Sequence, residues 1–433
     1  MSTQFGLLRE KRLFPLFLTQ FLGAFNDNVM KNAMVILITY RGRELSSLDP
    51  GILVNACAGL FILPFFLLSA TAGQLADKYE KASLIRWVKV LEIVIALLAA
   101  IGFWQLSLPW LLAALFLMGT HSALFGPLKY AILPQHLRPS ELVGGNALIE
   151  SSTFLSILLG TVAGGLLIGS AAPVWAGVVC VLIALLGYIS SRHIPEAPAA
   201  DPQLQIARNP FAETWRNVKD ARGEKGLFLI MVAISWFWFY GAMFLSQVPG
   251  YTRELGGNET VTTLFLASFS IGIGIGSLLC ERWSRGQIEP GLVPIGLLGL
   301  SLFAVDLYLA TPGQEVGNVG AMAFLAQAGS IRILSDLILI GVAGGIYCVP
   351  LYALLQSRAR ATHRSRAVAA TNILNSLFMV GAALLAMVLL GHGYTAIDLF
   401  LLTGALNLLI GLWLHRRNPE FLQSLRARLH NKP

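Results

Sequence analysis

Charged residues are scarce in this sequence. Lysine, arginine, aspartate and glutamate together make up 12% of the 433 residues, whereas hydrophobic residues make up 55%. A soluble domain usually carries about 25% charged residues, so this composition excludes an ordinary soluble protein. Only four cysteines are present, and all of them lie within apolar stretches. No CxxC pair occurs, which argues against a disulfide framework or a zinc site.

The sequence also lacks the motifs of common enzyme classes. It has no HExxH motif, no nucleotide-binding loop, and no set of residues that resembles a nucleophile, histidine and acid triad. We therefore expect no cofactor, no bound metal and no enzymatic activity. A membrane-embedded enzyme of lipid metabolism is disfavoured on the same grounds.

Long apolar runs dominate what remains. Each run is close to the length of about 20 residues that a helix needs to cross a bilayer. They predict an all-α membrane protein with twelve transmembrane helices, at residues 13–40, 51–75, 84–105, 109–133, 146–169, 173–191, 226–249, 260–280, 291–311, 332–356, 367–390 and 395–415.

Basic residues are distributed unevenly between the two sides of these spans. If both termini are cytosolic, only four basic residues flank the opposite ends of the spans: Arg41, Arg43, Arg253 and Arg332. The positive-inside rule favours that orientation. The predicted organisation is a six-helix bundle at 1–192, a cytosolic linker at 193–225, a second six-helix bundle at 226–416 and a basic cytosolic tail at 417–433.

The linker contains an amphipathic pattern. Phe211, Trp215 and Val218 recur at helical spacing within "NPFAETWRNVKDARGEK". Two interpretations are open: the helix lies on the inner leaflet, or it is an ordinary loop helix that caps the bundle.

Three short motifs recur in the same order in the two halves. "FLGAFNDNV" in the first helix matches "FYGAMFLSQV" in the seventh, "PLKYAILPQ" matches "PLYALLQ", and "NALIES" matches "NILNS". Parallel repeats of six helices are the plan of the major facilitator transporters, in which the halves are related by pseudo-two-fold symmetry and rock about a central site. The segment "GQLADKYEK" resembles a cytosolic loop signature of that superfamily, and we expect Gly73, Asp77 and Lys78 to act in gating. The counterpart in the second half, "GSLLCERWSRG", has Cys280 in place of the aspartate.

The first helix carries polar residues in the middle of an apolar run, "FNDNVMK". A charge at the bilayer centre costs about 2.5–3.5 kcal/mol on insertion scales, and the second half has Leu245 where the first has Asp27. The duplicated scaffold therefore does not need this carboxylate. Asp27 and Lys31 share one helix face, and either they line a substrate cavity or they form a structural ion pair.

Other ionisable residues are predicted within the spans. Lys129 and Glu150 are candidates to pair across helices four and five, although Lys129 can instead snorkel to the interface. Lys89 and Glu92 are expected to form a structural ion pair. His121 is expected to serve packing, with a proton relay as the alternative.

Several of these segments resemble the bacterial lysophospholipid transporters: "FLGAFNDNVMKNA", "FGPLKYAILPQHL" with "ELVGGNALIESSTFLSILLGT", and "VPLYALLQSRA" with "SRAVAATNILNSLFM". The resemblance implies inward movement of lysophosphatidylethanolamine and lysophosphatidylglycerol across the inner membrane. The motifs of that family fall on Asn26, Asp27, Asn28, Lys31, Lys129, Asn146 and Glu150.

The resemblance also implies a set of partners. The substrate and the membrane lipids are expected partners, and nucleic acid is not. Because the chain lacks the acyltransferase that is fused to some members, a separate acyltransferase on the cytosolic face would have to reacylate the product. We expect a monomer.

A proton-coupled exporter of drugs or small metabolites on the same fold is the main alternative. It would require a titrating carboxylate such as Asp27 or Asp306 and would depend on a proton gradient. A receptor or scaffold that transports nothing is a further alternative.

Overall fold

The computed structural model describes residues 4–48, 50–170, 172–207, 209–223, 226–312 and 317–430. Three parts of the predicted linker and tail (residue 208, residues 224–225 and residues 431–433) lie outside them. The described residues are almost entirely helical, and the one β-bridge among them joins Gly257 to Val319.

Helices account for every predicted span. In chain order they are α1 (Phe14–Leu45), α2 (Pro50–Lys78), α3 (Lys81–Gln105), α4 (Leu108–His136), α5 (Leu142–Ser170), α6 (Val174–Ser191), α7 (Pro210–Gly223), α8 (Leu227–Glu254), α9 (Glu259–Ser284), α10 (Leu292–Ala310), α11 (Ala321–Leu325), α12 (Ser330–Arg358), α13 (Arg364–Gly391), α14 (Ala396–Arg417) and α15 (Glu420–His430).

Twelve of these helices are long, which confirms the predicted fold class. Only α7, α11 and α15 are short, and α7 falls within the predicted linker. Ten of the long helices are apolar enough to cross a membrane by length and composition. The other two, α1 and α3, carry the ionisable residues Asp27, Lys31, Lys89 and Glu92. The chain is a multi-pass membrane protein.

The chain divides into two compact units whose limits differ from the predicted halves in two segments. Unit 1 contains Met1–Pro139, Leu155–Glu224 and Gln356–Ile373, and unit 2 contains Ser140–Phe154, Lys225–Leu355 and Leu374–Pro433. Three helices, α5, α12 and α13, therefore contribute one part to each unit, α12 only with its last three residues.

Side-chain packing explains why the start of α5 groups with unit 2. Val143 and Ala147 belong to one buried apolar cluster with Cys280 and Ile346. In addition, the Ser151 hydroxyl donates to the Gly274 carbonyl at 3.2 Å. These contacts involve only residues of unit 2.

Within unit 2, α9 and α12 pack closely through glycines. A Cβ atom placed on Gly276 would lie 2.0 Å from the carbonyl oxygen of Val342, whereas one placed on Gly274 would meet no atom within 4 Å. Small residues allow membrane helices to approach in this way.

We expect Gly276→Ala to destabilise the protein by about 1–3 kcal/mol, because the methyl group overpacks the interface. Gly274→Ala is the matched control, since it adds the same methyl group on the same helix in open space. The thermal unfolding midpoints of the two variants in detergent, monitored by size-exclusion chromatography after heating, measure the difference. Equal unfolding midpoints for the two variants would contradict the packing argument.

Candidate functional site

The polar segment of α1 places one carboxylate against α4. The Ser122 hydroxyl donates to Asp27 Oδ2 at 2.5 Å, and His121 Nδ1 lies 4.0 Å from Asp27 Oδ1. The side chain of Asp27 is 14% exposed, so it is half-buried rather than sealed. Lys31, one turn further along α1, has its amine 5.4 Å from the centre of the Phe61 ring.

The ion pair between Asp27 and Lys31 that the sequence allowed does not form. Among the described residues, Asp27 contacts α4 and Lys31 lies over an aromatic ring. The two side chains share a face of α1, but they point to different neighbours. The opposite charges of Asp27 and Lys31 are therefore not paired with each other.

A second layer of ionisable groups lies behind Asp27 and is fully buried. Lys89 and Glu92 form the ion pair that their spacing predicted, and neither side chain is exposed. The Asn26 amide donates to Glu92 Oε1 at 2.8 Å, and His121 Nε2 lies 3.2 Å from Glu92 Oε2. We refer to Asn26, Asp27, Lys89, Glu92, His121 and Ser122 as the buried polar cluster.

Two glycines make room for the lysine of this cluster. A Cβ atom on Gly187 of α6 would lie 2.8 Å from Lys89 Cε, and a Cβ atom on Gly23 of α1 would lie 3.0 Å from Lys89 Nζ. The Lys89 ammonium also donates to the Thr19 carbonyl at 3.5 Å. Helices α1, α3 and α6 therefore hold the ammonium in place.

The charges of the cluster are balanced at its sealed end and unbalanced at its exposed end. Lys89 compensates Glu92, which a buried carboxylate requires. Asp27 faces His121, whose charge depends on its protonation. Among the described residues, Asp27 has no lysine or arginine within ion-pair distance, so that end of the cluster can attract a cation.

The three asparagines of α1 have different hydrogen-bond partners. Asn26 belongs to the cluster, whereas the Asn28 amide donates to the Ala24 carbonyl of its own helix at 2.8 Å. Asn32 donates to the Asn28 carbonyl at 2.8 Å and to the Thr161 hydroxyl at 3.1 Å. The side chain of Asn28 therefore satisfies the backbone of α1 in this conformation.

The candidates on α4 and α5 lie outside the buried polar cluster. Lys129, which is half-buried in unit 1, has its amine 4.5 Å from the centre of the Tyr130 ring. Asn146 and Glu150 are buried in unit 2, and the Asn146 amide donates to the Leu142 carbonyl at 2.9 Å. The pairing of Lys129 with Glu150 stays a prediction.

A second ionic site in unit 1 involves the predicted gating residues. Asp77, which is fully buried, accepts from Arg366 Nε at 3.0 Å and from the backbone N–H of Ser365 at 3.1 Å. A Cβ atom on Gly73 would lie 2.7 Å from Ala369 Cβ, so α2 and α13 approach closely here. We call this contact the α2–α13 clasp.

Lys78 is not part of the clasp. Its amine lies 5.8 Å from the centre of the Tyr79 ring. The further carboxylate near the clasp is Asp201 of the linker, whose Oδ2 lies 3.6 Å from Arg366 Nη2. Asp306, the other proton-carrier candidate, accepts from Arg332 at 2.5 Å in unit 2 and is 37% exposed.

Sequence reasoning expected His121 to serve packing, with a proton relay as the alternative, and it did not single out Ser122 or the clasp partners Arg366 and Asp201. A signal existed for His121, because an imidazole within an apolar span needs a polar neighbour. Nothing in the sequence selected Arg366 among the arginines of the same region.

Comparison with known proteins agrees with the fold and with the family resemblance seen in the sequence. The Major Facilitator Superfamily profile matches residues 16–383. A protein of Serratia proteamaculans named lysophospholipid transporter LplT is 28% identical, with 82% of each chain covered. The protein of that name from Enterobacter sp. strain 638 is 28% identical, with 95% of this chain and 98% of the relative covered.

A similar solved structure supports the fold alone. It is the crystal structure of the human organic anion transporter MFSD10, which superposes with a TM-score of 0.74 at 15% sequence identity. The superposition covers 93% of this chain and 99% of that one. At this identity nothing about the substrate transfers.

Proposed function

The chain belongs to the Major Facilitator Superfamily, and on that premise we propose that it transports lysophospholipids by alternating access. One observation carries the proposal: Asp27 and Lys31 lie one turn apart on α1, each half-buried and not paired with the other. Residues four apart on a helix have Cβ atoms about 5–6 Å from each other. A zwitterionic head group matches two opposite charges at that spacing.

The chemistry of a lysophospholipid fits these charges. Its ammonium group would pair with Asp27, the carboxylate at the exposed end of the buried polar cluster. Its phosphate would pair with Lys31, whose amine now lies over the Phe61 ring. The aromatic face stabilises the ammonium while the site is empty, and Phe61 with its apolar neighbours offers a surface for the acyl chain.

The finer features of the function follow from the relatives and from the charge distribution. We propose that transport runs inward across a bacterial inner membrane, with both termini cytosolic, as the positive-inside rule favours. Lysophosphatidylethanolamine and lysophosphatidylglycerol are the proposed substrates, since the relatives named above carry lysophospholipids. A separate acyltransferase would use the product, and the monomer is the proposed working form.

The α2–α13 clasp is the proposed gate. A buried carboxylate held by an arginine and by a backbone N–H stabilises one closed arrangement. Opening requires Asp77 and Arg366 to separate or to be solvated. Gly73 permits the close approach of α2 and α13, and Lys78 would act by attracting lipid phosphates beside the gate.

Reconstitution in liposomes tests the proposed function. We expect fluorescent lysophosphatidylethanolamine in the outer leaflet to become protected from extraction by external albumin much faster with the protein than without it. Movement should continue after an uncoupler removes the proton gradient, since a concentration difference between leaflets can drive it. Protection at the rate of protein-free liposomes would contradict the proposal.

A proton-coupled exporter is the second candidate, because Asp27, His121 and Glu92 form a row of titratable groups at distances of 4.0 and 3.2 Å. That function predicts the opposite result in the same assay. Transport of an organic solute would stop with the uncoupler, and lysophospholipid movement would not rise above background.

A further inference from the structure

The linker helix α7 presents two different faces. Glu213, Asn217 and Ala221, spaced four residues apart, are buried, and α7 packs against α2. Glu213 forms an ion pair with Arg216 at 3.3 Å. The side that packs on the protein is therefore polar and small, which is the reverse of an ordinary amphipathic helix.

The opposite side of α7 combines exposed aromatic and basic residues. Phe211 and Trp215 are 62% and 65% exposed, and they share this side with the exposed residues Lys219 and Arg222. The Arg222 guanidinium lies 5.9 Å from the centre of the Trp215 ring. We call Phe211, Trp215, Lys219 and Arg222 the α7 stripe.

We propose that the α7 stripe binds the anionic lipid surface of the inner leaflet, an interaction that goes beyond the proposed transport function. Tryptophan is enriched where hydrocarbon meets head groups, and basic residues beside it attract anionic lipids by about 1 kcal/mol each. A face that is both aromatic and basic suits this boundary, because the rings enter it while the charges stay at the phosphates.

The position of α7 agrees with a lipid surface as the occupant. Just before the helix begins, the backbone N–H of Ala207 donates to Gln74 Oε1 at 2.6 Å. Gln74 lies in the last part of the apolar span Ala56–Lys78. The start of the helix is thus joined to the last part of this apolar span, and the residues of the stripe are exposed.

The preceding part of the linker ties this helix to the α2–α3 connection. The hydrogen bonds that join the two segments are Lys81 N to Ala197 O at 3.0 Å, Ala197 N to Glu80 Oε1 at 2.8 Å, Asp201 N to Asp77 O at 2.8 Å, and Lys81 Nζ to Pro198 O at 3.3 Å. Lipid binding by the stripe would therefore hold the linker, with Asp201, beside the α2–α13 clasp.

A spin-label experiment on the full chain in liposomes tests the proposal without any transport assay. One label is placed on the stripe by Phe211→Cys, and the matched label is placed on the other exposed side of α7 by Asp220→Cys. Native thiols do not interfere, because Cys57, Cys180, Cys280 and Cys348 are buried. Collision rates with oxygen and with a water-soluble nickel complex report whether each label lies in lipid or in water.

With phosphatidylglycerol in the bilayer, we expect the label at 211 to collide mainly with oxygen and the label at 220 mainly with the nickel complex. The double change Lys219→Ala with Arg222→Ala should weaken surface binding on the order of 30-fold and return the label at 211 to water. Arg9→Ala with Lys11→Ala removes the same charge elsewhere and should leave that label in lipid.

Two outcomes would overturn the proposal. The first is a label at 211 that stays accessible to the nickel complex whether or not phosphatidylglycerol is present. This result would indicate that the stripe binds a soluble protein partner and not the lipid surface. The second is an equal response to both double changes, which would show a dependence on net charge and not on the stripe.

Discussion

Asp27→Asn is expected to slow lysophosphatidylethanolamine transport by roughly 10- to 100-fold, because a hydrogen bond to a charged group contributes about 1.5–3 kcal/mol. Asparagine keeps the volume of the side chain and an oxygen that can accept from the Ser122 hydroxyl. The change therefore removes the charge and spares the packing of α1 on α4. The transport rate of lysophosphatidylglycerol, which has no ammonium group, should fall much less.

Initial rates for both lipids in the liposome assay measure this effect, with the amount of inserted protein checked by quantitative blotting. Asp306→Asn is the matched control. It removes one carboxylate charge from a spanning helix of unit 2, where the partner is Arg332. Equal losses for the two lipids would contradict the pairing of Asp27 with the ammonium, and normal rates for both would remove Asp27 from the substrate site.

The main features of the fold could be predicted from the sequence, because hydropathy and length are local properties. Twelve apolar runs near the length of a span gave twelve long helices. The pair Lys89–Glu92 was also predictable, because residues three apart on a helix are neighbours. Each of these predictions needs only a short window of sequence.

The buried polar cluster could be predicted only in part, because it depends on how the helices are rotated about their axes. Asn26 meets Glu92 across 66 residues, and Asp27 meets Ser122 across 95. Periodicity places Asp27 and Lys31 on one face, but it does not say which helix that face meets. For this reason the Asp27–Lys31 ion pair, one of the two alternatives, does not form: Asp27 instead accepts a hydrogen bond from the Ser122 hydroxyl of α4.

The division into compact units could not be predicted from the sequence for a related reason. The boundaries of a sequence repeat follow the duplicated segment of the gene, whereas the boundaries of a compact unit follow the contacts between side chains. The same helix α5 packs Val143 in unit 2, while Ser156 donates to the Phe21 carbonyl at 3.0 Å within unit 1. No pattern in the sequence marks the point along α5 at which its partners change.

Removal of the buried carboxylate at the proposed gate, by Asp77→Ala, is the second change with a large expected effect. Breaking a buried ion pair from one side costs about 3–5 kcal/mol, because Arg366, whose side chain is 9% exposed, keeps its charge. The closed clasp should therefore lose population relative to the open form by roughly 150- to 5,000-fold.

Thiol accessibility measures this shift. Ser365→Cys is a close replacement at a fully buried position, and it keeps the backbone N–H that Asp77 accepts from. A maleimide should react slowly with Cys at 365 while Asp77 is present and much faster after Asp77→Ala. Asp201→Ala is the control, because its carboxylate is 30% exposed and 3.6 Å from Arg366, and exposed pairs contribute about 0–1 kcal/mol.

The combination of Asp77→Ala with Arg366→Ala separates two explanations of a faster reaction. If the cost comes from an uncompensated buried charge, removal of the arginine takes that charge away, and the double variant should react more slowly than Asp77→Ala alone. If the carboxylate acted only by holding the Ser365 N–H, both variants would react equally fast. A thiol that stays protected in Asp77→Ala would contradict the clasp as a gate, since a contact that can be lost without opening does not control access.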